Sequence, residues 1–240
     1  VLKDETFRIL LALKITLNLE MIMIDVETAF LYADLTETIY MKPPKGIDIS
    51  EKECLMLNKS LYGLVQSARE WWKQFVSVMK KDDFELRAAE PCLLIKSNDD
   101  GLVIISIYVD DCVLIGGRVA LDKTRDYLKS NFAIKEFDQV TNYLGCEIHT
   151  EKDRIEIGQK RMYDEIEKKF HDDISDLKKC ATPSKPGFSS IKMTTEMDPL
   201  SQEMQTKYRS GIGMLLYLVK HSRPDLANPT RELSKAMLTA

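Results

Sequence analysis

Paired cysteines, clustered histidines and long apolar runs are all missing from this sequence, and each absence removes a class of function. The five cysteines, Cys54, Cys92, Cys112, Cys146 and Cys180, are odd in number, widely spaced and form no Cys-x-x-Cys. Neither a disulfide framework nor a zinc site is therefore expected. The three histidines, His149, His171 and His221, are just as scattered. The longest apolar stretches, near Leu102–Ile105 and Ile212–Val219, fall well short of a membrane span, and the amino terminus has no signal-peptide character. The expectation is a soluble, intracellular chain with no membrane partner. Positive charge is not in excess either: the formal net charge is −4. Attraction to nucleic acid through global charge is thereby excluded, and only a local basic groove is left open. The candidates are Lys152–Lys169, holding Arg154, Lys160, Arg161, Lys168 and Lys169, and the set Lys178, Lys179 and Lys185. Acids interleave in the first, which favours a solvated helix face.

What is present is a globular composition. The 240 residues are 44% hydrophobic and 30% charged, enough for one large domain or two small lobes. Apolar spacing predicts helices over Glu5–Leu19, Ala68–Lys80, Leu121–Asn131, Gln159–Phe170, Met204–Lys220 and Thr230–Leu238, the last opened by Asn228-Pro229. Extended segments are predicted at Glu20–Val26, Ile39–Met41, Leu55–Leu57, Cys92–Lys96 and Leu102–Ile115, with a hairpin over Tyr143–Thr150 and Arg154–Ile157. A turn and short helix are expected in Glu27–Leu35, and a linker in Ala181–Ser201, where Pro, Ser, Thr, Lys and Met accumulate. Strands and helices alternate irregularly. That pattern favours α+β over a doubly wound sheet.

The chemistry-bearing feature is the run LVIISIYVDDCVLIGG over Leu102–Gly117, in which Asp110 and Asp111 interrupt two apolar β runs. An unpartnered buried carboxylate is expensive, so such a pair is either exposed in a turn or held by cations. Hairpin turns prefer Asn-Gly or Asp-Gly, whereas Val109 and Cys112 flank this pair, so the stretch alone leaves turn and metal site evenly matched. Asp25 ends its own apolar strand. If the two strands lie side by side, three carboxylates could surround a pair of divalent cations, the requirement for two-metal phosphoryl transfer. Oxygen ligands without histidine or cysteine favour Mg²⁺ over zinc. Spacing alone also fits a nuclease.

Three motifs in order go further. The segment IDVETAFLYADLTETIYMKPPKG from Ile24, the segment LNKSLYGLVQSAREWW from Leu57, and YVDD at Tyr108–Asp111 closely resemble successive motifs of Ty1/copia reverse transcriptases. YLGCEI from Tyr143, Ala181-Thr182-Pro183, and YRSGIGMLLYLVKHSRPDLA from Tyr208 are similar to that family's later motifs. The resemblance implies a reverse-transcriptase palm, an antiparallel sheet backed by helices, with incomplete fingers and a helical thumb or connection. Partial fingers and palm would occupy 1–158, and the thumb or connection region 159–240, with the linker near 181–201.

The resemblance also implies residue roles. Asp25 and Asp110 would ligate two Mg²⁺ ions, with Mn²⁺ as a substitute, and Asp111 would support them. Val26, through its backbone, Phe30, Gly63 and Gln66 would meet the incoming deoxynucleotide, Phe30 as the aromatic gate against a ribose 2′-OH. Without the family, Phe30 reads as a core aromatic. Tyr108, Val109, Leu144, Gly145 and Glu147 would lie along primer and template, and Arg69 would meet phosphate or pair with an acid. Partners would be an RNA or DNA template with primer, dNTPs, and the integrase and RNase H segments of a Pol polyprotein. The compartment would be cytoplasmic, in virus-like particles, or nuclear.

Several departures accompany the match. The family's KWVFK-like and RYKARLV-like runs, which supply cations to the triphosphate, have no counterpart ahead of Leu2. The expectation is a fragment of a polyprotein or a truncated element copy lacking that clamp. Ala68 stands where proline is usual, and Tyr32-Ala33 where Asn-Gly is usual. A catalytically silent remnant that binds nucleic acid or protein is the alternative reading.

Overall fold

The computed structural model describes residues 2–47, 50, 53–178, 180–189 and 200–237. The strands are β1 (Glu20–Val26), β2 (Tyr40–Met41), β3 (Leu55–Met56), β4 (Glu85–Arg87), β5 (Glu90–Asn98), β6 (Gly101–Tyr108), β7 (Asp111–Gly116), β8 (Ile134–Phe137), β9 (Asn142–Tyr143), β10 (Cys146–Thr150) and β11 (Ile155–Gly158). The helices are α1 (Asp4–Thr16), α2 (Ser67–Lys80), α3 (Arg118–Asn131), α4 (Lys160–Ile174), α5 (Gln202–His221) and α6 (Ala227–Ser234), with short 3₁₀ turns at Ala29–Tyr32 and Pro224–Leu226. The chain divides into two compact units, Val1–Val140 and Thr141–Ala240. The architecture is mixed α+β, as the irregular alternation of elements implies.

The first unit is built on a six-stranded antiparallel sheet of order β4-β5-β6-β7-β1-β8. Its central strands are the apolar runs of the sequence. Val103–Ile107 of β6 and Cys112–Gly116 of β7 are buried almost without interruption, because α1 and α3 pack on them. A strand buried on both faces reads as a continuous apolar run rather than an alternating one. Helix α2 adds a second cluster, in which Trp71, Phe75, Tyr32 and Phe132 meet ring against ring at centroid separations of 5.1–6.2 Å. Tyr32, at one of the departures from the family pattern, is thus a packing residue, and its hydroxyl accepts a bond from the Ala133 N–H at 2.8 Å.

Three short strands escaped the sequence reading. β4 and β8 are the sheet edges and β9 has two residues, so none presents enough apolar periodicity to register. The two apolar runs expected on either side of Asp110-Asp111 are β6 and β7, with the turn one residue earlier, at Val109-Asp110.

In the second unit, β9, β10 and β11 form a three-stranded sheet, so the hairpin groups with the helices that follow it. Helix α4 buries none of its residues fully, in keeping with a solvated, mixed-charge face. Arg154, one of the basic-groove candidates, is paired with Glu151 and Glu156. Helix α5 starts at Ser201, whose hydroxyl accepts the Met204 N–H at 3.3 Å. The last helix begins earlier than expected. Pro229 falls in its first turn rather than opening it, which costs nothing because first-turn N–H groups have no intrahelical acceptor. Leu238, the expected end of that helix, and residues 190–199 of the expected linker lie outside the described residues.

Candidate active site

Two adjacent strands of the main sheet bring the acids together. β1 and β7 pair antiparallel in a register that sets Asp25 directly opposite Asp111. Directly opposed residues project from the same face with Cβ atoms about 5 Å apart, and like charges so placed repel. Asp110 lies in the two-residue connection between β6 and β7, and its carbonyl accepts the Val26 N–H at 3.0 Å. That bond fastens the turn to the end of β1, so the third acid cannot swing away with the loop.

The turn itself is strained. Val109, first of its two residues, has φ +61°, the left-handed region that a β-branched side chain rarely enters. Helix α2 holds it there: the Trp71 indole Nε1–H donates to the Val109 carbonyl at 2.6 Å, and Trp71 is itself 1% exposed. Beside it, Ala68, Arg69, Trp71, Trp72, Pro91, Cys92, Ile107 and Val109 line a cavity of about 330 Å³.

Electrostatics follow the crowding. Burial first, then the charges of Asp110 and Asp25, raise the Asp111 carboxyl above its ordinary range. Burial and the same acids also push the Cys112 thiol up, so it is a packed, inert group. Among the described residues, no lysine or arginine forms an ion pair with Asp25, Asp110 or Asp111. An all-oxygen donor set with mutual repulsion and no neutralising side chain suits a hard divalent cation. Among the described residues, however, no three acid, imidazole or thiol groups are already closed around one point.

The other residues expected at the site fall into two groups. Phe30 stands on the 3₁₀ turn just past β1, 8% exposed, with its ring centroid 4.4 Å from that of Tyr62. The segment bearing Tyr62 and Gly63 is pinned by the Ser60 N–H to the Ala33 carbonyl at 3.0 Å and by the bridge between Asp34 and Lys59. The Ser60 and Ser67 hydroxyls, 2.7 Å apart, and a 2.6 Å bond from Ser67 to the Leu61 carbonyl close the loop onto α2. Gly63 has φ +98° and open space where a side chain would be. Gln66 donates to Glu37 at 3.2 Å. Val26 is buried and its N–H is taken by Asp110, while the Glu27 N–H is taken by Ala133. Tyr108 ends β6 opposite Asp111.

Leu144, Gly145 and Glu147 belong to the second unit. Leu144 and Gly145, at φ +53° and +72°, form the two-residue turn between β9 and β10, and the Tyr217 hydroxyl donates to the Leu144 carbonyl at 3.1 Å. The Glu147 carboxylate accepts the Lys160 and Arg161 N–H groups at 3.3 and 3.4 Å, which caps α4.

The family model for reverse transcriptase (RNA-dependent DNA polymerase) matches residues 1–186. The chain belongs to the copia-type retrotransposon reverse transcriptases. It is 30% identical over 246 residues to the retrovirus-related Pol polyprotein from transposon TNT 1-94 of Nicotiana tabacum, covering 98% of this chain and 18% of that relative. It is also 30% identical over 220 residues to the putative transposon Ty5-1 protein of Saccharomyces cerevisiae, covering 88% of this chain and 68% of that one. With the transposon Ty1-BL Gag-Pol polyprotein of the same yeast it shares 27% identity over 240 residues, 95% of this chain and 13% of the relative. The chain thus spans less than a fifth of the length of the plant Pol polyproteins it matches. No helix among the described residues of this reverse-transcriptase domain is long and apolar enough to cross a membrane.

Two residues of the site carried no separate signal in the sequence reading. Trp71 looked only like a core residue of an amphipathic helix, and its indole N–H was the overlooked clue. Tyr62 sat unremarked inside the SLYG motif. Residue type alone did not set it apart from a packed aromatic.

Proposed function

We propose that this chain is the RNA-directed DNA polymerase domain of a copia-type element, joining a deoxynucleotide to a primer 3′-OH on an RNA or DNA template. The observation that carries this is the opposed pair Asp25 and Asp111, with Asp110 tied to the end of β1 by the Val26 N–H that its carbonyl accepts. Palm and fingers-side segments would lie in residues 1–158, and a thumb or connection from 159 onward. Asp25 and Asp110 would hold two Mg²⁺ ions, replaceable by Mn²⁺, with Asp111 in support. Held by these carboxylates, divalent ions would supply a lowered pKa for the primer hydroxyl and charge neutralisation for the departing pyrophosphate.

The protein's own groups do the positioning. The 3′ oxygen attacks the α-phosphorus in line, its proton is released, and pyrophosphate leaves. Phe30 bars a 2′-hydroxyl, while Gly63 lets the backbone come close to the nucleotide and Gln66 contacts it. The Val26 and Glu27 N–H groups are engaged by Asp110 and Ala133, so the backbone amides that would meet the triphosphate lie beyond them in the turn. Tyr108 and Val109 face the primer end, and Leu144, Gly145 and Glu147 the primer backbone. Partner segments would include the integrase and RNase H parts of a Pol polyprotein, in a cytoplasmic virus-like particle or the nucleus.

The test is primer extension on an RNA template with Mg²⁺. It compares the chain, its Asp110→Asn variant, and the chain preceded by the fingers segment of a copia-type relative. Extension that Asp110→Asn abolishes is expected. If neither the bare nor the extended chain adds a nucleotide, the reading is wrong.

A further inference from the structure

We infer that Tyr62 is a positioning residue for the Phe30 ring, and through it a determinant of selectivity for deoxyribose over ribose. The inference rests on the polymerase reading above and adds to it a residue with no role there.

Tyr62 makes three contacts around one small turn. Its ring lies 4.4 Å from the Phe30 ring, centroid to centroid, at an interplanar angle of 41°. Its hydroxyl donates to Asp110 Oδ2 at 3.5 Å, and the Ala29 backbone amide lies against the Tyr62 hydroxyl oxygen itself. One side chain thus touches the ring of residue 30, the backbone of residue 29 and a carboxylate of the acid cluster. That turn is anchored at its far end, where Tyr32 packs against Trp71 and Phe132 and its hydroxyl accepts the Ala133 N–H. Ala29–Tyr32 is a single 3₁₀ turn, entered through Thr28 at φ +52° and belonging to no strand ladder. Such turns have weak internal hydrogen-bond geometry.

Tyr62 sits on a loop that is well held, because the buried Ser60–Ser67 bond and the part-buried bond from Ser67 to the Leu61 carbonyl close it onto α2. It is 56% exposed, so its ring contributes little to the core. An exposed aromatic on a fixed loop, laid against the Phe30 ring, braces that ring on the side the core does not cover. A ring that discriminates by collision with one oxygen must be held to within a fraction of an ångström, and small misplacements in such sites carry large rate effects.

The experiment measures kcat/KM for a deoxynucleotide and for the matching ribonucleotide in the primer-extension assay, for the native sequence, Tyr62→Phe and Tyr62→Leu, in the bare and extended chains alike. Tyr62→Leu removes ring and hydroxyl, and the deoxy-to-ribo ratio is expected to fall about tenfold. Tyr62→Phe keeps the ring and is expected to retain the ratio within about threefold, given the usual worth of an aromatic pair. A merely structural role would lower both kcat/KM values together and leave their ratio alone. An unchanged ratio in Tyr62→Leu overturns the inference while leaving the polymerase reading intact. Failure of the native chain, bare and extended, to add either nucleotide overturns that reading, and this inference with it.

Discussion

Val109 concentrates the conflict between folding and function in one residue. Its left-handed φ of +61° costs a β-branched residue about 1 kcal/mol or more. Replacing it with glycine is expected to raise unfolding stability by about 1 kcal/mol in denaturant titrations while impairing primer extension, in line with the primer-facing role proposed for its side chain. Asp111 shows the same opposition through charge. Its carboxyl is raised by burial and by Asp110 and Asp25, so its stabilising contribution is complete below the ordinary value of 3.8 and is lost as pH rises through the higher folded-state value. Asp111→Asn removes that loss. The variant is expected to be the more stable chain, by a margin that widens from about pH 4 to about pH 7 in chelator and narrows when Mg²⁺ is added. Chemical denaturation at several pH values checks this, and a margin indifferent to pH would refute the crowding argument.

Elements matter here as braces for turns. Helix α2 holds the strained Val109 turn through a single indole N–H, so Trp71→Phe leaves a part-buried carbonyl without its partner. A destabilisation of about 1–2 kcal/mol is expected, with a larger fractional loss of extension rate than a surface variant of equal stability shows. Helix α5 plays the corresponding part in the second unit, where Tyr217 holds the Leu144-Gly145 turn. A side chain at Gly145 would meet both the φ of +72° and the Tyr217 hydroxyl. Gly145→Ala is therefore expected to cost more than about 1 kcal/mol, read from thermal unfolding followed by circular dichroism. Leu144→Asn, which places the preferred Asn-Gly pair in that turn, should instead stabilise it.

At the scale of the molecule, the division after Val140 leaves every strand of the six-stranded sheet within residues 1–140. That segment expressed alone is expected to unfold cooperatively, which calorimetry would test. The motifs that identify the family were legible from residue types in order along the chain, and with them the grouping of Asp25, Asp110 and Asp111, because acids that end or interrupt apolar strands stand out from their surroundings. Long elements were legible for a related reason: α2 and α3 bury one face, which imposes a period, while β7 is buried on both faces and reads as a continuous apolar run. The edge strands β4 and β8, the tie between Val26 and Asp110, and the roles of Trp71 and Tyr62 were not. Each depends on which backbone or ring lies opposite, and that is settled only when distant segments pack. The sequence by itself determined which groups could do chemistry. Only the tertiary structure decided that Asp25 faces Asp111 rather than its neighbour, because a one-residue change of register would turn the side chain to the other face of the sheet.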